Sequence, residues 1–192
     1  MGTFFDSIHI RTTKIAEFND IVTAIAKGRF SYILTTPYQG WISLLLDENG
    51  LNLDEESNDI CLDLSRRCES LILKTKEYDS DIFFYTCFVD GKIIDSFISH
   101  PDYFEPISQE ERNKSRGQPE SWVNLLDFSV DVNELRQILD LMQSDVLCNT
   151  DGTWRFAGLL FLDNVCTNYY MLKETELDPE WITYDCTVTA IY

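Results

Sequence analysis

Apolar and polar residues alternate along residues 3–12, where Ser7, His9 and Arg11 interleave with Ile8 and Ile10, and this period of two predicts a strand. Thr12-Thr13 then offers an N-cap, and Ile15, Phe18, Ile21, Val22 and Ile25 recur at spacings of three and four, as the buried face of a helix does. Gly28 stands where a C-cap belongs. Two apolar, β-rich runs follow, Phe30 to Leu34 and Trp41 to Leu46, divided by a turn at Pro37-Tyr38-Gln39-Gly40. Ile60, Leu64, Cys68 and Leu71 form the stripe of a second helix. Residues 71–75, 81–89 and 92–98 read as three strands, the last two joined by Asp90-Gly91, a strong hairpin signal. A polar stretch bounded by Pro and Gly, residues 105–121, reads as a mobile loop. Asp131 caps a helix through Leu147 with Val132, Leu135, Ile138, Leu139 and Met142 inward, a further helix covers Trp154 to Leu162, and residues 186–192 alternate as a closing strand.

The predicted order is β-α-β-β-α-β-β-β, a loop, two helices and a strand. Paired strands with few helices between them favour an α+β domain over residues 1–192, a mixed or antiparallel sheet with helices packed on it, over a doubly wound sheet. The first half matches a ferredoxin-like pattern with an added hairpin.

Charge changes the functional picture more than the structural one. The chain carries 33 Asp and Glu against 15 Lys and Arg, a formal net charge of −18, yet 44% of it is hydrophobic. Disorder is disfavoured by that apolar content, and 192 residues suffice to bury roughly two thirds of the unfolded surface. An anionic surface repels nucleic-acid phosphates and acidic lipid headgroups, so neither nucleic acid nor membrane is an expected partner. The N-terminus lacks the basic and apolar regions of a secretory signal, and no apolar run approaches the ~20 residues of a membrane span, so the expected address is cytoplasmic. In that compartment the 6 cysteines, none in a CxxC pair, are expected to be reduced and mostly buried.

Carboxylates cluster between residues 47 and 63, where Asp47, Glu48, Asp54, Glu55, Glu56, Asp59 and Asp63 stand without a Lys or Arg among them. Helix chemistry explains part of this, since acidic side chains in a first turn face the positive end of the macrodipole. Trp41, Trp122, Trp154 and Trp181 each lie near a predicted loop or turn, and aromatic anchors bordered by carboxylates suit a surface for a basic protein. Trp41 with Asp47, Glu48, Asp54, Glu55, Glu56 and Asp59 is therefore the candidate partner-binding set. An alternative site gathers Asp79, Asp81, His100 and Asp102 around the hairpin, where paired carboxylates and an imidazole suit metal-assisted hydrolysis. The bland reading of Ser99-His100-Pro101-Asp102 is a strand-ending turn, with Tyr103 and Phe104 packing back on the core; His9, in a strand, reads as a structural histidine. No phosphate-binding glycine loop, nucleophile elbow or spaced zinc set is present, and Asp47-Glu48-Asn49-Gly50 lacks the glycine and glutamate positions of a calcium loop. No cofactor or metal site is assigned.

The pattern Gly40-Trp41-Ile42, Asp79-Ser80-Asp81 leading to Tyr85, Asp90-Gly91, Asp95 and Pro101-Asp102-Tyr103-Phe104 resembles a group of uncharacterised bacterial cytosolic proteins over residues 3–104. The resemblance implies a bacterial origin and carries neither an activity nor functional residues. The functional expectation rests on charge: a non-enzymatic protein that masks a basic partner, in the manner of immunity proteins that neutralise toxins.

Overall fold

The structure, a computed structural model, describes residues 5–12, 14–27, 29–35, 37–47, 53–144, 146–162 and 188–191. In chain order they form β1 (Phe5–Arg11), α1 (Ile15–Ala26), β2 (Tyr32–Thr35), β3 (Trp41–Leu46), α2 (Leu53–Arg67), β4 (Ile72–Tyr78), β5 (Ile82–Val89), β6 (Lys92–Ile98), α3 (Gln109–Lys114), α4 (Val132–Gln143), α5 (Asn149–Leu160) and β7 (Val188–Ile191). The α+β class follows directly: every strand joins one antiparallel sheet in the order β6-β5-β4-β1-β3-β2-β7. The stretch β4-β1-β3-β2 is what two interleaved β-α-β crossovers produce, and β5 and β6 extend it as a hairpin.

Both faces of the sheet are covered, which is why its strands are apolar on both sides. On one face α1 and α2 bring Phe18, Val22, Ile60 and Leu64 onto Ile8, Ile10, Ile42, Leu44, Ile72 and Phe88. On the other, α4 and α5 bring Leu135, Leu139, Met142, Phe156 and Leu160 onto Trp41, Leu73, Phe83, Tyr85 and Phe97. Each large side chain so buried contributes roughly 1.5–3 kcal/mol. Gly152, buried in α5, lets Met142 of α4 pack close, since a Cβ there would lie 2.5 Å from Met142 Cγ.

Several helix ends depart from expectation. Lys14 occupies the N-cap position of α1, with Thr12 Oγ1 accepting from its backbone N–H at 3.1 Å. Lys27 takes the left-handed C-cap, φ 43°, and Gly28 lies outside the described residues. Asp131 caps α4 as expected, accepting from the backbone of Asn133 and Glu134 at 3.0 Å, but the helix stops at Gln143. α5 starts at Asn149, five residues before the expected Trp154, because its polar first turn carries no apolar period.

Within residues 105–121, read as a loop, the chain makes α3, closed by a Ser108/Glu111 capping box, and a 3-10 turn at Pro119–Ser121. Between them it follows the edge of β6, where Ile98 N–H donates to Ser115 O at 2.9 Å. The fixing point is Asp95 of β6. Its carboxylate accepts from Tyr85 Oη at 2.7 Å, Trp122 Nε1 at 2.9 Å, Ser96 N at 2.8 Å and Gln118 N at 2.7 Å. Burial, with the Asp95 charge beside it, holds the Tyr85 hydroxyl well above its usual range, so it stays a donor.

Candidate functional site

The expected anchor Trp41 is not on the surface. It is 2% exposed on the face under α5, and its Nε1 donates to Leu160 O at 2.9 Å. Trp122 is likewise buried against Asp95; Trp154 is exposed, and Trp181 lies outside the described residues. A turn-proximal tryptophan faces inward here because the sheet is covered on both sides. The acidic set divides. Glu55 and Asp59 are exposed on α2, Glu56 is half-buried with Arg29 at 3.7 Å, and Asp47 is half-buried at the end of β3. Asp54 belongs to the first turn of α2, while Glu48 lies outside the described residues.

The alternative set converges elsewhere, at the end of the sheet where β4 turns into β5. Asp79 and Ser80 both adopt left-handed backbone, φ 53° and 61°, and Asp81 N–H closes the turn on Tyr78 O at 3.0 Å. After β6 the chain turns at Pro101, with Tyr103 N–H donating to His100 O at 3.1 Å. That turn sends Tyr103 and Phe104 outward against Tyr78, not onto the core. The rings of Tyr78 and Phe104 meet edge-on at 5.5 Å, those of Tyr103 and Phe104 at 5.1 Å. Phe104 is 69% exposed and Tyr103 46%. Four exposed carboxylates border the trio: Asp79, Asp81, Asp102 and Glu105.

Local hydrogen bonds hold this patch in place. Tyr103 Oη donates to Asp81 Oδ2 at 3.0 Å, and that contact raises the phenol above its usual range. Arg112 of α3 holds Asp102 at 2.7 Å and its carboxyl below the usual range. His100 Nδ1 lies 3.1 Å from Ser99 Oγ and 3.3 Å from Asn149 Nδ2, and Asn149 also donates to the Asp81 carbonyl. The imidazole thus meets a hydroxyl and an amide. Among the described residues, no three His, Cys, Asp or Glu side chains are placed to hold a metal ion.

His9 is fully buried among hydroxyls, with Ser43 Oγ 2.9 Å from Nδ1 and Ser7 and Thr75 both 3.1 Å from Nε2. Burial lowers its pKa from 6.5 to about 3, so it is a neutral, structural residue. Cys61 and Cys87 are buried thiols and Cys148 an exposed one.

A cavity of about 390 Å³ adjoins the aromatic trio, lined by Asn58 of α2 together with Tyr78 and Phe104. Its floor holds Lys74 and Lys76 of β4, which the sequence reading passed over. The signal was Lys-Thr-Lys within an apolar strand of a strongly acidic chain.

The chain matches no family model, no curated protein and no solved structure. Among the described residues no helix is long and apolar enough to cross a membrane.

Proposed function

We propose that this protein is a non-enzymatic binding protein that masks a basic protein partner, in the manner of an immunity protein, and that it does so with the end of the sheet around the β4–β5 turn. The observation that carries this reading is the exposed trio of Tyr78, Tyr103 and Phe104, packed edge-to-edge and bordered by Asp79, Asp81, Asp102 and Glu105. Large exposed aromatics give an interface its buried anchors, and a surrounding ring of one charge selects the opposite charge on the partner and speeds encounter. The exposed Glu55 and Asp59 of α2 add the same sign of charge to the surface.

The test is capture from the source organism's lysate on three immobilised baits: the wild-type chain, Phe104→Ala, and Glu55→Lys/Asp59→Lys. The reading expects a basic protein on wild-type bait, released by high salt, depleted on the Phe104→Ala bait and reduced on the α2 bait. Equal recovery on all three baits contradicts it.

A further inference from the structure

β1 ends on Arg11, at the far end of the sheet from the aromatic trio, because the register pairs Phe5 with Glu77 and Ile10 with Ile72. The Arg11 guanidinium is held there from several directions. Its Cζ lies 4.4 Å from the centre of the Phe128 ring and 5.6 Å from that of Trp41, its cross-strand neighbour. Nη1 donates to Gln39 O at 2.6 Å, and Nε donates to Asp127 Oδ1. Gly40, φ +85°, leaves the room, since a Cβ there would lie 3.0 Å from Nη1 and 3.1 Å from Nη2. Nη2 itself has no acceptor among the described residues.

Two cavities, of about 400 Å³ and about 320 Å³, meet at this group and share Arg11, Glu69, Ser70 and Asp127. The rest of the smaller one is aliphatic. Leu71, Val89, Leu125 and Leu126 line it, with Leu71 and Leu126 buried and Leu125 exposed, and its volume is at the lower end of the range for small-molecule sites. Glu69 follows α2 in the left-handed conformation, φ 49°, a place that glycine or asparagine more often fills. Its exposed carboxylate has no cationic partner among the described residues. Lys14, the second cation on the larger cavity, is paired with Glu17 at 3.2 Å. The smaller cavity thus combines one fixed cation, two carboxylates and an aliphatic wall. Glu69 and Asp127 repel a simple anion, Arg11 repels a simple cation, and a neutral apolar molecule leaves all three charges unanswered. A molecule bearing both charges beside an apolar branch answers the whole set.

The geometry points to a binding site for a free α-amino acid with a branched aliphatic side chain. Its carboxylate accepts from Arg11 Nη2, its ammonium donates to Glu69 and Asp127, and its side chain lies among Leu71, Val89, Leu125 and Leu126. Asp127 keeps its contact with Arg11 Nε throughout, so binding displaces no ion pair. The site shares no residue with the surface around Tyr78, Tyr103 and Phe104, and it stands or falls independently of the masking function.

The experiment is a ¹H–¹⁵N NMR titration of the full chain with L-leucine. It is repeated with leucinamide, which lacks the carboxylate, with N-acetylleucine, which lacks the ammonium, and on Glu69→Gln. Expected are saturable shifts at the Ser70, Leu71, Val89 and Leu125 amides with a leucine Kd at or below about 1 mM, each analogue binding about tenfold more weakly. Glu69→Gln is expected to weaken leucine about tenfold without weakening N-acetylleucine, which has no ammonium to lose. Glu69 is exposed, so the rest of the spectrum stays unaltered and reports the fold. Leucine binding no tighter than either analogue, an unchanged leucine Kd in Glu69→Gln, or no saturation by leucine overturns the proposal. Glu69→Gln leaves partner capture on the bait intact, so failure here and failure of the masking function are read separately.

Discussion

Replacing Asp95 by alanine probes the point where β6, the 115–122 segment and the aromatic core are joined. The side chain accepts four hydrogen bonds, two of them from the buried donors Tyr85 Oη and Trp122 Nε1. A buried donor stripped of its partner costs about 1–3 kcal/mol, so the two side-chain donors alone set a loss of about 2–6 kcal/mol. Asp95→Asn recovers only part, because one end of the amide is a donor. Tyr85 can turn its hydroxyl to accept from that end; the indole N–H of Trp122 cannot. Urea unfolding followed by tryptophan fluorescence checks this, and with m near 3 kcal/mol/M a loss of 3 kcal/mol moves the midpoint by about 1 M. Trp122→Phe supplies a cycle. On wild type it removes one of four donors to the carboxylate; on Asp95→Ala it removes a donor that has no acceptor, and so costs less by about 1 kcal/mol or more. Strict additivity of the two substitutions, or a loss below about 1 kcal/mol for Asp95→Ala, would refute the reasoning.

Two further outcomes follow from buried groups. His9, held neutral by burial with its pKa lowered from 6.5 to about 3, keeps out a proton that the unfolded chain takes up below pH 6.5. Its contribution is whole above that pH and falls by about 1.4 kcal/mol per unit as pH drops from 6.5 toward 3. Glu77 acts in the opposite sense, since burial raises its carboxyl and the folded state takes its proton earlier, so the quantity to measure is the pH slope of wild type minus that of His9→Gln. A slope difference near zero between pH 6 and 5 contradicts the assignment. Gly117→Ala is expected to cost more than about 1 kcal/mol, since φ is +71° and a Cβ meets the Tyr85 hydroxyl and lies 3.2 Å from Phe97 Cβ; thermal unfolding at neutral pH reads this, and an unchanged Tm contradicts it.

Much of the fold was legible because most elements carry a period. β1 and α1 announce themselves by alternation and then by three-four spacing, and Asp90-Gly91 makes the β5–β6 hairpin as read. What stayed hidden had no period to show. α3 has no buried residue, so no stripe marks it; its one signal is Ser108 three residues before Glu111. The first turn of α5, Asn149 to Gly152, reads as a loop until Gly152 is seen under Met142. Trp41 was misplaced for a different reason. In a sheet covered on both faces, Trp41, Leu45 and their neighbours Ile42 and Leu44 are all buried, and alternation no longer distinguishes inside from outside. At the site, Asp79, Asp81 and Asp102 were visible as a group near one hairpin. Their aromatic company was not, because Tyr78 and Phe104 are brought together only by the return of β5 and β6.

The measurement that bears most directly on the masking function is association kinetics between the chain and the purified captured protein, at low and high salt, for wild type, Asp79→Lys/Glu105→Lys and Phe104→Ala. If the carboxylate ring steers and the aromatics anchor, the charge reversal slows association at low salt by about tenfold with the difference closing at high salt, and Phe104→Ala speeds dissociation by about tenfold or more. Rates for both variants equal to wild type at both salt concentrations would contradict the account.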